Sequence, residues 1–200
     1  MSILVGITQR VAVDPATTER RDALDQRWWA FLTVCGLVPL PLPNHPATAM
    51  GVIAAVPVAG LILSGGNDLP QFGGDVPERD ATERELVSWA ERTHRPVVGI
   101  CRGAQHLAHL RGGSVVPLEG HCVTRHGLRP GGRMVDSYHT YGMQALPPGS
   151  DVIAWGEDGS VEAFMLADAK ITALMWHPER EAPPHADDIA LFRRIFGSEA

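Results

Sequence analysis

The chain has little cysteine. Cys35, Cys101 and Cys122 make an odd set with no CxxC pair, which excludes a disulfide scaffold and points to a reducing compartment. It has no apolar run near the ~20 residues that a membrane-spanning helix needs, and no basic region ahead of its first apolar run, Ile3 to Thr8. A cytoplasmic protein without membrane contact is expected. Positive charge is also short: 17 Lys and Arg against 23 Asp and Glu leave a net charge of −6. That excludes a general nucleic-acid-binding face and leaves room only for a local basic pocket. There is no repeat at a fixed period and no low-complexity tract. The nine histidines and three cysteines show no spacing typical of metal ligands, so no metal and no cofactor are expected. What remains is ordinary globular composition, 44% hydrophobic and 20% charged over 200 residues, which suits one compact α/β domain spanning 1–200.

One stretch organises the rest. Pro96-Val97-Val98-Gly99-Ile100 reads as a short buried strand, and Ala104, Leu107, Ala108 and Leu110 follow at helical spacing. Cys101 stands where strand becomes helix. A thiol at that turn meets the positive end of the helix dipole and its unpaired N–H groups, which favour thiolate. Gly99 and Gly103 relieve crowding on either side, as in a nucleophile elbow.

Along the chain, Ile3 to Thr8 reads as a first strand and Arg21 to Cys35 as an amphipathic helix ending at Gly36, with Trp28, Trp29, Phe31 and Leu32 as packing residues. Val38 to Leu42, with its prolines, suits an edge strand, and Ala47 to Val56 a short helix. Gly60 to Ser64 is a buried strand that runs into Gly65-Gly66-Asn67-Asp68, where paired glycines let backbone N–H groups approach a ligand. Leu69 to Glu78 reads as a surface loop. Asp80 and Glu83 are spaced as an N-cap and its partner for a helix reaching about Thr93. Further strands are expected at Ser114 to Pro117, His121 to Arg125, Arg133 to Ser137, Asp151 to Trp155, Val161 to Leu166 and Ile171 to Trp176, and a last helix at Asp187 to Phe196. Helices alternating with strands in the first half imply a flavodoxin-like, doubly wound, mostly parallel sheet with helices on both faces. Ligands of such sheets bind beyond the carboxyl ends of the strands.

Partners for Cys101 are therefore sought at other strand ends. Trp176-His177-Pro178-Glu179 follows the apolar run Ile171 to Met175. An imidazole at His177 can take and return a proton while the Glu179 carboxylate orients it. A cysteine elbow combined with His-Pro-Glu after a late strand is far more specific than either alone.

Gly99-Ile100-Cys101-Arg102-Gly103-Ala104-Gln105, together with Ser64-Gly65-Gly66 and His177-Pro178-Glu179, resembles the class I glutamine amidotransferase superfamily over nearly the whole chain. Cys101-Arg102-Gly103, Arg79-Asp80 with Glu83, and Val135-Asp136-Ser137-Tyr138-His139 resemble its branch of free-standing γ-glutamyl hydrolases. The resemblance implies Cys101 as nucleophile, His177 as acid/base and Glu179 as its orienting partner. It implies an oxyanion hole from the backbone of Gly66 and Arg102, and a thioester intermediate hydrolysed to glutamate. Gly65, Asn67, Gln105, Ser137, Tyr138 and His139 would face the glutamyl group.

Arg125-His126, Arg129 and Arg133, with Arg102 beside the nucleophile, form a candidate cationic cluster suited to a phosphate-bearing leaving group. With the opening Gly6 to Val11, Arg21 to Asp25, Ser64 to Leu69 and His121 to His126, the resemblance implies a nucleotide-linked substrate, γ-glutamyl-CDP-amidate, cleaved in capsular phosphoramidate synthesis. The alternatives are a γ-glutamyl amine such as γ-glutamyl-γ-aminobutyrate, or a glutaminase subunit that docks on a synthase. The length leaves no room for a synthase domain, so any such partner would be a separate chain and is not required.

Overall fold

The computed structural model describes residues 3–197. β1 (Ile3–Ile7) enters the core, and the chain then turns through a two-stranded antiparallel ribbon, β2 (Arg10–Val13) and β3 (Arg20–Ala23). α1 (Arg27–Val34) leads to β4 (Leu37–Pro41), α2 (Pro46–Ala55) to β5 (Leu61–Leu63), and α3 (Pro77–Arg92) to β6 (Val97–Ile100). α4 (Arg102–Leu110) follows at once. Then come β7 (Ser114–Pro117), β8 (Cys122–Arg129), β9 (Arg133–Tyr138), β10 (Tyr141–Ala145), β11 (Asp151–Gly156), β12 (Val161–Leu166) and β13 (Ile171–Leu174), with α5 (Ala186–Phe196) last.

Nine strands form one sheet in the order β4-β1-β5-β6-β13-β12-β11-β8-β9. From β4 to β13 every pairing is parallel; beyond β13 every pairing is antiparallel. Only β12 and β8 therefore run against the rest, and the mostly parallel α/β sheet expected from the alternation is present. Its central strands are apolar on both faces because helices cover both: Leu61, Ile62, Leu63, Val97, Val98 and Ile100 are fully buried. α1 and α5 close one face, where Phe31 meets Phe192 edge-on with centroids 4.8 Å apart. α2, α3 and α4 close the other, where Leu42, Leu86, Ala104 and Leu107 pack. No helix among the described residues is long and apolar enough to cross a membrane.

Three local expectations are corrected. The helix read from Arg21 begins six residues later, because tertiary bonds hold Arg20–Ala23 extended: Arg20 pairs with Glu78, and Asp22 accepts from the Asn44 backbone and side chain. Asp14, accepting from the amides of Ala16 and Thr17, shapes the ribbon's turn. Asp80 and Glu83 do not cap α3, which starts at Pro77 with proline in its first turn; both carboxylates are buried. β10, a strand not anticipated, pairs with β7 in a small separate sheet.

The elbow's glycines are fixed by close approach. A Cβ on Gly103 would strike the Leu63 carbonyl oxygen, and one on Gly99 would lie 2.5 Å from Leu107 Cδ1. Gly103→Ala is expected to cost about 1–3 kcal/mol of unfolding free energy by overpacking. Gly51→Ala, in α2 with nothing within 4 Å, is expected to add about 0.5–1 kcal/mol. Urea denaturation of both variants checks the pair.

Candidate active site

The carboxyl ends of β5, β6 and β13 converge on one spot. Cys101 follows β6 directly and takes φ 52° and ψ −107°, a positive-φ conformation costly for any residue with a Cβ and held here by its surroundings. The turn lifts the thiol off the sheet and leaves the Arg102 amide as the first of α4, without an intrahelical acceptor. β13 delivers His177 three residues past its end. His177 Nδ1–H donates to Glu179 Oε1 at 2.7 Å. After β5, Gly65 passes so close that a Cβ there would lie 2.7 Å from the His177 ring and 3.5 Å from Cys101 Cβ. Gly66 takes φ +83° and Asn67 φ +61°.

Electrostatics follow from this packing. Burial alone would lower the His177 pKa, but Glu179 and the Cys101 sulfur outweigh it and raise it to about 9. The imidazolium is thus favoured beside the Cys101 sulfur.

A buried ion network holds the loop. Arg79 Nε donates to Glu83 Oε1 at 2.9 Å, and Arg102 donates to both Glu83 and Asp80. The other Arg79 nitrogens reach the carbonyls of Ser64, Gly65 and Gly66. With those carbonyls bound from behind, the loop's peptide groups are fixed in direction. Thr8 Oγ1 donates to Glu83 at 2.8 Å and accepts from the Ser64 amide at 3.1 Å. Burial would raise the Glu83 pKa, but the two guanidiniums hold it down at about 2.

A cavity of about 300 Å³ opens over the thiol, lined by Asn67, Gln105, Tyr138, Thr140, Tyr141 and Arg180 among others. A smaller one, about 90 Å³, lies across His177 and is lined by Arg10, Trp28, Gly65, Glu179 and Arg180. Gln105 donates to the Tyr141 carbonyl at 3.0 Å, and Tyr138 meets the His177 ring edge-on at 5.6 Å.

Not every expected site residue is brought here. Ser137 is fully buried, and its hydroxyl donates to the His121 carbonyl. Asn67 lines the cavity, but its side chain is bonded to the Val11 backbone. The cationic cluster does not form: Arg102 is turned into the buried network, Arg125 lies near Asp136 at the surface, Arg129 donates to the Gly156 carbonyl, and Arg133 pairs with Glu181 and Asp188. Their carboxylate and carbonyl partners come from distant sequence, so adjacency in the chain was no guide. Besides Arg102, whose guanidinium is tied into the buried network, the arginines lining the two cavities among the described residues are Arg10 and Arg180, which sequence reasoning passed over. Arg180 sits next to Glu179, and its guanidinium lies 4.3 Å over the Tyr138 ring. His139 lines the larger cavity and also belongs, with His126, His121 and Glu162, to a second cluster, although spacing suggested no metal ligands.

The Peptidase C26 family profile matches residues 3–125 and 115–179. The chain belongs to the Peptidase C26 family. It is similar to the γ-glutamyl-CDP-amidate hydrolase of Campylobacter jejuni, 29% identical over 187 residues that make up 90% of this chain and 91% of that one. It is 35% identical over 131 residues to the glutamine-hydrolysing GMP synthase of Thermomicrobium roseum, covering 60% of this chain but 23% of that enzyme. The fold is that of a glutamine amidotransferase from Thermotoga maritima: TM-score 0.67 at 15% identity, covering 99% of this chain and 90% of that one. Membership places the chain among glutamine amidotransferase-like hydrolases.

The raised His177 pKa has a stability consequence. His177 stays charged when folded up to about pH 9, against 6.5 in its ordinary state. Its stabilisation is therefore complete below about 6.5 and lost as pH rises through about 9. The wild-type advantage over His177→Asn in denaturation midpoint is expected to shrink across that window.

Proposed function

We propose that the chain is a free-standing cysteine hydrolase of γ-glutamyl amides, acting through a glutamyl thioester. The observation that carries the reading is the convergence of Cys101, His177–Glu179 and the Gly65-Gly66 turn at three strand ends. Cys101 Sγ attacks the γ-carbonyl carbon, and the carbonyl oxygen takes the electron pair facing the amides of Gly66 and Arg102. Each such donor is worth roughly 3 kcal/mol in the transition state. His177 then protonates the leaving nitrogen, the C–N bond breaks, and the thioester remains. Water, deprotonated by His177, attacks it; the thiolate leaves and glutamate is released. Glu179 keeps the imidazole aligned through both proton transfers. Gln105 and the Tyr138–Tyr141 wall hold the glutamyl group in the larger cavity.

For the leaving group, γ-glutamyl-CDP-amidate is the preferred substrate, on two supports. The chain resembles a hydrolase of that name over 90% of its length, and Arg10 and Arg180 line the cavities where a diphosphate could be paired. A second reading, a glutaminase working with a separate synthase, is favoured by the 35% identity to a glutamine-hydrolysing enzyme.

Glutamate release by the purified chain alone, compared across γ-glutamyl-CDP-amidate, γ-glutamyl-γ-aminobutyrate and glutamine, separates these. Preference for the nucleotide substrate is expected, with turnover lost in Cys101→Ala and the nucleotide preference reduced in Arg10→Ala. Activity on glutamine only, or only after a partner is added, would transfer the chain to the second reading.

A further inference from the structure

Behind the Tyr138–Tyr141 wall of the larger cavity, β8, β12 and the segments just before β8 and just after β9 bring together four side chains, of which His139 alone also lines that cavity. The closest donor atoms of His121, His126, His139 and Glu162 all lie within 4.8 Å of one another. His121 Nδ1 is 3.3 Å from Glu162 Oε1, His139 Nε2 is 3.6 Å from the same oxygen, and His126 Nε2 is 3.7 Å from Glu162 Oε2. Donors around a tetrahedral zinc ion, with bonds of about 2.0–2.1 Å, stand roughly 3.3 Å apart.

The hydrogen bonding singles out the atoms that would bind. Glu162 is fully buried, and His121 and His139 are 5% and 3% exposed. Yet His121 Nδ1, His126 Nε2, His139 Nε2 and Glu162 Oε2 have no hydrogen-bond partner, where buried polar groups ordinarily do. Two of the rings have the opposite nitrogen occupied: His121 Nε2–H donates to Asp158 Oδ2 at 2.9 Å, and His139 Nδ1–H donates to the Tyr141 carbonyl at 3.0 Å. Those bonds fix the tautomers that leave a lone pair on each inward nitrogen, as around histidines that ligate metals. Glu162 Oε1 has only a long contact with the Ser160 hydroxyl, 3.3 Å, and the ion-pair partners of Glu162 are histidines alone among the described residues. His126, 13% exposed in its side chain, leaves a route from solvent.

We infer that His121, His126, His139 and Glu162 form a tetrahedral divalent transition-metal site of the zinc class. Three neutral imidazoles and one carboxylate leave a bound dication with one net positive charge, which the Asp158 carboxylate offsets through His121. The metal has a positioning role. It clamps β8, β9 and β12 together and anchors His139, and the Tyr141 carbonyl that receives His139 also receives Gln105. Glu162 further ties the site to the chain leading to His177, since its carbonyl accepts from the Met175 amide at 2.8 Å.

The test is zinc and cobalt titration of the full chain stripped of metal, with elemental analysis of the protein as purified. One equivalent is expected to bind below micromolar free zinc, with cobalt giving the visible absorption of a tetrahedral site. Cys101→Ser is expected to bind the same equivalent. Glu162→Gln and His126→Ala are expected to lose it, and Asp158→Asn to weaken it by about 10–100-fold. Folded wild-type protein that binds neither metal at micromolar concentration would overturn the assignment. So would metal lost in Cys101→Ser and kept in Glu162→Gln, which would put the cation at the catalytic cysteine. Neither readout depends on turnover, so failure here is separate from failure of the hydrolase reading.

Discussion

The structure depends on a carboxylate with no access to water. Glu83 is fully buried on α3 and accepts from Thr8 on the β1 side, Arg79 on its own helix and Arg102 at the head of the elbow helix. Removing one member of such a group leaves a charge uncompensated in the interior, which is far costlier than the net worth of the pairs. All members therefore stay in place, and three elements that share no local sequence are locked in one geometry. Arg79 passes that constraint to the carbonyls of Ser64, Gly65 and Gly66, and Arg102 passes it to the turn that carries Cys101.

Around this fixed half, the antiparallel strands supply the wall that faces the substrate. Tyr138 packs on His177, Gln105 reaches the Tyr141 carbonyl, and Phe72 stacks on the Tyr141 ring at 3.8 Å. The parallel half thus carries Cys101 and His177, and the antiparallel half supplies the Tyr138–Tyr141 wall of the cavity beside them. The turns that carry Cys101 and Gly65-Gly66 are determined by backbone geometry, whereas the proposed leaving-group selection rests on a few side chains at the cavities, Arg10 and Arg180.

Much of the central sheet and the elbow was legible because each signal was local. Val97 to Ile100 running into Gly103 and Ala104 specifies strand, turn and helix within eight residues, and His177-Pro178-Glu179 places an imidazole and the carboxylate it bonds two residues apart. Arg21 to Asp25 misled for the complementary reason. It has helical composition, but its partners Asn44 and Glu78 are 22 and 58 residues away from Asp22 and Arg20. Asp80 and Glu83 match a capping pattern locally, and their true role appears only when α4 brings Arg102 against them. The arginines between 125 and 133 are close in sequence and scattered in space. The histidine–glutamate cluster is the reverse case: its members come from two strands, the loop before β8 and the loop after β9, so spacing could not reveal it.

The most direct measurement is intact-mass spectrometry of the protein quenched during turnover of a γ-glutamyl amide, followed by mapping of any adduct. The account predicts one glutamyl group attached through a base-labile thioester at Cys101 and no adduct in Cys101→Ala. Glutamate release that continues without any acyl-enzyme, or an adduct at another residue, would contradict it.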